Sequence, residues 1–367
     1  MSVPLEVFYV AALAGAAALS LLLTPLALRF AVSRGVLDRP GGHKSHQVPT
    51  PYLGGMAMLV AFAVAVLVAA LVYPPPSGLV ELAIIMGVAI LLSLVGLFDD
   101  LRGLGIVIRL GSQVLAAVVL WFAGVQVTLT TVPALDLVIT IVWVVGVTNA
   151  LNLLDNMDGL SAGVTTIAAL WFGIIGAVNG QVLVASLAFA LAGCSLGFLR
   201  LNRPPARIYM GDAGSLFLGV VLATLGIKLR FESPPAVAAL VPILILTIPV
   251  LDTTLVSLAR VRHGLSPFAG GKDHISHRLV RVGLPVPVAV SLISGAGFAH
   301  GWMALLVSRM DATTAWLAGG LVATADVFLF LLLYRVPVYD NSRGRDFVLQ
   351  SRVPDFASHE QTEEALK

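Results

Sequence analysis

The chain is short of charge. Its 367 residues include 22 Lys plus Arg and 20 Asp plus Glu, 11% charged in all, where soluble domains carry roughly a quarter. With 58% hydrophobic residues and a mean hydropathy of +0.96, an ordinary water-soluble globule is excluded. The net charge is +2, with no basic aromatic stripe, so there are too few cations in a row to neutralise a phosphate backbone. No nucleic-acid partner is expected. The single cysteine, Cys194, lies in an apolar run, where it can form no intrachain disulfide and serves as a small packing residue. A G-x-x-x-x-G-K-[ST] loop is absent, which argues against ATP hydrolysis. An internal repeat is also absent, which weakens a reading as an inverted-repeat transporter.

What is present is apolar sequence in long runs. A hydrocarbon core roughly 30 Å thick needs about 20 apolar residues per helical span. Such runs fall at 6–29, 54–73, 79–98, 106–124, 132–150, 161–178, 181–199, 213–230, 236–258, 286–308 and 313–335. They are continuous rather than alternating, so a β-barrel is not expected. The expected fold is all-α: a polytopic membrane bundle of about eleven transmembrane helices. Glu6 stands where a signal peptide would be basic, and the run 7–28 is long enough to span, so the first helix is read as uncleaved. Small residues four apart, such as Gly193 and Gly197, suit close helix packing.

The basic residues orient the bundle. With the N-terminus outside, nearly every Lys and Arg falls in or beside an inside segment, Lys228, Arg230 and Arg309 excepted. The inside stretches are 30–53, 99–105, 149–160, 200–212 and 259–285. Residues 1–335 then form the membrane domain and 336–367 a polar cytoplasmic tail.

The polar residues gather at that inner face. Asp99-Asp100 ends an apolar run, where adjacent carboxylates and a helix C-terminus repel one another. A divalent cation or a Lys or Arg would relieve both. Asn149, Asn152, Asp155 and Asp158 recur every third residue, yet the first and last drift about 180° apart on a helix. A break near Asp155–Gly159 divides them into a helix end and a turn. Asp212, in Met210-Gly211-Asp212-Ala213-Gly214-Ser215, serves either as a helix cap or as a ligand. Lys272, His274, His277 and Arg278 suit phosphate oxygens; two His three apart also resemble half a metal site, but no thiolate lies near. Lys44 and His46 lie in a basic loop. Asp252 is an acid inside a predicted span, and such acids usually face the bundle interior. Carboxylates, amides and cations together point to Mg²⁺-assisted phosphoryl transfer on a lipid substrate.

Five of these motifs, in order, carry a resemblance. They are the Asp38–His46 loop with Gly54-Gly55; Phe98-Asp99-Asp100; Asn149–Gly159; Met210–Ser215; and Asp273-His274-x-x-His277-Arg278. From about residue 33 to 285 the chain resembles the polyprenyl-phosphate N-acetylhexosamine-1-phosphate transferases. The resemblance implies transfer of HexNAc-1-phosphate from a UDP-N-acetylhexosamine to undecaprenyl phosphate, releasing UMP. It also implies Mg²⁺, with Mn²⁺ as a substitute, in the inner membrane of a bacterium with the site on the cytoplasmic side. Asp212 and Asn152 would be metal ligands. Asp99 would deprotonate the lipid phosphate, supported by Asp100. Asp155, Asp158 and Asn202 map to the uridine side, and His274, His277 and Arg278 to the sugar-diphosphate side. Asn149 would face the phosphates, and Lys44 and His46 would bind substrate. A homodimer is expected by analogy only. Eleven spans with an inside C-terminus fit the GlcNAc-1-phosphate branch better than the phospho-MurNAc-pentapeptide (lipid I) branch. Ser276 stands where many members have another His, which also argues against the lipid I branch. A secondary transporter is the rival of another class.

Overall fold

The computed structural model describes residues 4–38, 49–75 and 78–339. Lys44 and His46 lie outside the described residues, as does the tail from 340 onward. Backbone amides in hydrocarbon must be paired within the segment, so the apolar runs form helices. In chain order these are α1 (Leu5–Arg34), α2 (Gly54–Val72), α3 (Leu79–Arg102), α4 (Ile106–Phe122), α5 (Pro133–Leu154), α6 (Leu160–Val178), α7 (Val182–Asn202) and α8 (Gly211–Lys228). The last third contributes α9 (Pro235–Ala238), α10 (Leu240–Ile245), α11 (Thr247–Arg262), α12 (Ile275–Arg281), α13 (Val286–Val307) and α14 (Ala312–Tyr334). Two short strands, β1 (Leu37–Asp38) and β2 (Thr50–Pro51), pair antiparallel with Leu37 opposite Pro51.

Among the described residues, nine helices are long and apolar enough to cross a membrane. The expectation of eleven spans is altered at two places. The apolar helix α4 has only 17 residues. The run at 236–258 is broken: α9–α10 and α11 meet at a 78° bend, and counting that pair as one span brings the number to ten. Proline explains the break. Pro249 has no N–H to give the Ile245 carbonyl, so the helical ladder is interrupted where the chain bends.

Helix α8 is the hub. Of its apolar window 83% is buried, against 6% for α14, which lies at the edge. It packs on α3, α5 and α2. Glycine lets the backbones approach: a Cβ on Gly96 of α3 would collide with the Asp212 carbonyl, and one on Gly219 with the Thr148 backbone. As their spacing predicts, Gly193 and Gly197 of α7 meet the backbone carbonyls of Leu13 and Ala17 on α1. Gly96→Ala is therefore expected to push the start of α8 away from α3. We expect a loss of about 1–3 kcal/mol, read as a lower melting temperature together with a reduced turnover per folded molecule. Wild-type values for both would show that the two backbones need no such contact.

Candidate active site

The C-termini of α3, α5 and α7, the N-terminus of α8 and the α11–α12 connection meet at one end of the bundle. Between them lies a cavity of about 610 Å³. Its wall carries the carboxylates Asp38, Asp100, Asp155, Asp158 and Asp212, the amides Asn152, Asn156 and Asn202, and the imidazoles His274 and His277.

The start of α8 rests on α3. Asp100 accepts from the backbone amides of Asp212 (3.0 Å) and Ala213 (3.2 Å), placing a carboxylate on the positive end of the helix. Gly211 turns the chain into α8 at φ +67°, and a Cβ there would run into the Asp100 carboxylate. Only glycine satisfies both demands. Asp212 then projects from the first turn. Its Oδ1 accepts from Asn152 Nδ2 at 2.8 Å and its Oδ2 from Arg109 Nη1 at 3.3 Å. Asn152 Nδ2 also reaches Ser215 Oγ at 2.9 Å.

Asp99 is held behind this pair. It accepts from the Leu104 amide (2.6 Å) and from Arg109 Nη1 (2.8 Å), and it is not among the cavity-lining residues. The opposing cation that the Asp99-Asp100 pair demanded is thus Arg109. It is the sole charged residue of α4, and that isolation was the signal in the sequence.

As the three-residue spacing foretold, α5 stops at Leu154 and the chain turns through Gly159 at φ +75°. Asp155 and Asp158 sit on that turn, Asp158 accepting from the Ala206 amide at 2.8 Å. Asn202 ties the turn to the next loop, accepting from the Gly159 amide (3.1 Å) and donating to the Ile208 carbonyl (3.0 Å). Ser276 donates to Asn156 Oδ1 at 2.5 Å, so the position where a third imidazole was expected joins two walls of the cavity instead.

The histidines come from the far wall. Asp252 reaches out of α11 to His274 Nδ1 (2.7 Å) and accepts from the Ile275 amide (2.7 Å). The intramembrane acid and the histidine motif, read separately in the sequence, are one buried pair that fixes the orientation of the ring. Burial pushes the His277 imidazole down to about 4, helped by His274 and Lys272, so it is neutral at pH 7.

Like Asp99, two more residues named from the sequence lie away from the cavity lining. Arg278 does not line the cavity: it is 1% exposed and donates to the carbonyls of Leu333 (3.0 Å) and Val336 (2.8 Å), where a buried guanidinium satisfies the open end of α14. Asn149 also faces elsewhere. Its amide nitrogen is shared between Gln113 of α4 and the Val145 carbonyl, because the buried Gln113 needs a polar partner among apolar helices.

Burial pushes the Asp155 carboxyl up to about 7, reinforced by the charges of Asp212 and Asp158. Its ordinary unfolded value is about 3.9. The folded chain thus holds this proton more tightly. The stability so gained is full below about pH 4 and is lost as the pH rises through about 7. In metal-free buffer at pH 8, Asp155→Asn is expected to melt about 3–8 °C above the wild type. The two curves should converge toward pH 4. A gap that ignores pH would show that the carboxyl is not strained by its surroundings.

Comparison with known proteins places the chain in a family. A family model described as glycosyl transferase family 4 matches residues 82–230. A Bacillus subtilis (strain 168) protein, named as a probable undecaprenyl-phosphate N-acetylglucosaminyl 1-phosphate transferase, is 30% identical over 321 residues, covering 85% of this chain and 87% of that protein. The chain belongs to glycosyl transferase family 4. The decaprenyl-phosphate N-acetylglucosaminephosphotransferase of Mycolicibacterium smegmatis is 33% identical over 301 residues, 73% of each chain. A phospho-N-acetylmuramoyl-pentapeptide-transferase of Moorella thermoacetica is 38% identical over 242 residues, covering 59% of this chain and 74% of that one. The stretch matched by the family 4 model includes Asp99, Asp100, Asn152, Asp155, Asp158, Asn202 and Asp212; the histidine loop lies beyond it.

Proposed function

We propose that the chain transfers N-acetylglucosamine 1-phosphate from UDP-GlcNAc to undecaprenyl phosphate, releasing UMP. The observation that carries this reading is the cavity itself: five carboxylates and two imidazoles brought from separate parts of the chain to one end of a membrane bundle of family 4. The relatives whose names give N-acetylglucosamine phosphate transfer align over 65–85% of the chain, against 57–60% for the pentapeptide transferases. The acids lie at a bundle end rather than between broken helices at the midplane, which disfavours transport.

Two anionic substrates could not approach five carboxylates unaided, so a divalent cation fits the donor set. Both Asp100 oxygens are taken by amides of α8, and both Asp99 oxygens by Leu104 and Arg109. Asp212 faces the cavity, held by Asn152 at 2.8 Å and more loosely by Arg109 at 3.3 Å. Among the described residues no three His, Cys, Asp or Glu converge on one point. Mg²⁺ uses one or two carboxylates and completes its shell with water and substrate phosphates. Asp212 and Asn152 would hold Mg²⁺ or Mn²⁺. When bound, the ion would supply charge neutralisation for the diphosphate.

The chain's own groups do the rest by positioning. An oxygen of the lipid phosphate attacks the β-phosphorus of UDP-GlcNAc, and the bond from that phosphorus to the UMP oxygen breaks. Little general base is needed, since a phosphate monoester loses its second proton near pH 6. Neutral His277 would donate to the sugar diphosphate, and His274, oriented by Asp252, would pack beside it on the cavity wall. Asp155 and Asp158 would face the uridine. In this arrangement Asp99 acts through Arg109, which it draws away from Asp212.

Orientation follows from charge. Arg29, Arg34, Arg102, Arg200, Arg203, Arg207, Arg262, Lys272 and Arg281 lie at the cavity end, and Lys228, Arg230 and Arg309 at the other. By the positive-inside rule this bias supports a cavity on the cytoplasmic side. A panel of UDP-GlcNAc, UDP-GalNAc and UDP-MurNAc-pentapeptide, each with undecaprenyl phosphate and Mg²⁺, tests the substrate. UMP should appear fastest with UDP-GlcNAc; efficient use of the pentapeptide substrate would reassign the chain.

A further inference from the structure

Helix α14 buries little of its surface, yet it is tied to the bundle by polar bonds. Within the span, His300 of α13 meets Asp326 at 3.0 Å. At the cavity end, the strap that follows α14, residues 335–339, is gripped by α12. Arg278 donates to the carbonyls of Leu333 and Val336, and Arg281 to that of Pro337 at 3.1 Å. The last described residue of the strap is Tyr339, whose ring lies on His263 with centroids 4.1 Å apart. Its hydroxyl donates to Asp273 Oδ2 at 2.5 Å.

Asp273 is the node. Its carboxylate forms a two-bond fork with Arg260, Nε at 2.8 Å and Nη2 at 2.7 Å, and both side chains are 1% exposed. Burial alone would raise the Asp273 carboxyl, but the bonds from Arg260 and Tyr339 outweigh it and hold the group below the usual carboxylate range. The same Arg260 Nη2 faces His274 Nε2 at 3.5 Å. The ring of His274 is therefore set from two sides, by Asp252 at Nδ1 and by Arg260 at Nε2. Arg260 is in turn aimed by a carboxylate that it shares with Tyr339.

We infer that Tyr339 is a positioning residue: through Asp273 and Arg260 it fixes the His274 imidazole on the cavity wall. It touches no cavity atom itself, and a residue 65 positions beyond His274 in sequence thereby sets that ring's aim. The reading rests on the proposal that His277, beside His274 on the cavity wall, meets the UDP-sugar.

Tyr339→Phe removes one hydroxyl and keeps the ring on His263. In the purified full-length chain, kcat for UMP release is expected to fall about tenfold, since small misplacements of a reacting group are expensive. Modification of His274 by diethyl pyrocarbonate, followed by peptide mass spectrometry, should quicken about fivefold as the loop opens locally. The melting temperature should hold. Asp273→Asn, which weakens the Arg260 fork as well, should exceed both effects. Wild-type kcat and His274 reactivity in Tyr339→Phe would overturn the inference. So would a lowered melting temperature with turnover per folded molecule and His274 reactivity unmoved, because that is a merely structural role. Should the wild type release no UMP from any UDP-sugar, the functional reading fails, while the His274 reactivity still decides the role of Tyr339.

Discussion

Asp212→Asn is expected to lower UMP release by about 10²–10³-fold, the range seen when one charge-stabilising group is removed from an active site. The change keeps the shape of the side chain, deletes its charge and turns one acceptor oxygen into an N–H donor. In the folded chain Asp212 leaves the first turn of the most buried helix and faces the cavity with Asn152 beside it. Asp99 is held by Leu104 and Arg109 and Asp100 by two amides of α8, whereas the contact of Asp212 to Arg109 is the long one, at 3.3 Å. The loss should fall on kcat more than on KM for the UDP-sugar, because the charge matters most as negative charge builds on the leaving UMP. Stability should not fall, since one member of a crowded set of carboxylates has been neutralised. A melting curve and steady-state kinetics on the purified variant check both halves. Full turnover would remove Asp212 from its role.

Asp99→Asn should cost about 30–100-fold at low millimolar Mg²⁺, the size of effect typical of residues that orient a metal ligand. The cause differs from that in Asp212→Asn. Arg109 lies 2.8 Å from Asp99 and 3.3 Å from Asp212. With Asp99 neutral, the guanidinium swings toward Asp212 and competes for the oxygen that a divalent cation would need. Excess Mg²⁺ should therefore restore much of the rate in Asp99→Asn and little in Asp212→Asn. Titrating Mg²⁺ against initial rate separates the two variants. If no concentration rescues Asp99→Asn, Asp99 works on the lipid phosphate directly, as the family resemblance first implied.

The architecture was largely legible before any coordinates, because hydrocarbon demands long apolar helices and little else satisfies it. The bend before α11 was not, since its residues are apolar on both sides and only Pro249 marks it. At the site, the break after Leu154 could be read from the drift of a three-residue spacing around a helix. Asp100 and Asp212 were named for their chemistry, but no local pattern shows that Asp100 would cap the helix bearing Asp212, more than 100 residues later. The same limit hid the Asp252–His274 pair and the Arg260–Asp273–Tyr339 chain. Arg278 misled for a physical reason: a guanidinium suits helix-end carbonyls as well as phosphate, and sequence carries no sign of which it meets. Asn149 misled similarly, since Gln113, its partner, sits inside an ordinary apolar run.

The most direct test follows phosphorus. UDP-GlcNAc labelled with ³²P at the β-phosphate is incubated with the purified chain, undecaprenyl phosphate and Mg²⁺, and the organic and aqueous phases are counted. Transfer of GlcNAc 1-phosphate predicts label in the lipid phase and unlabelled UMP in the water, in equal amounts. Label retained in water as UDP, with sugar alone on the lipid, would contradict it.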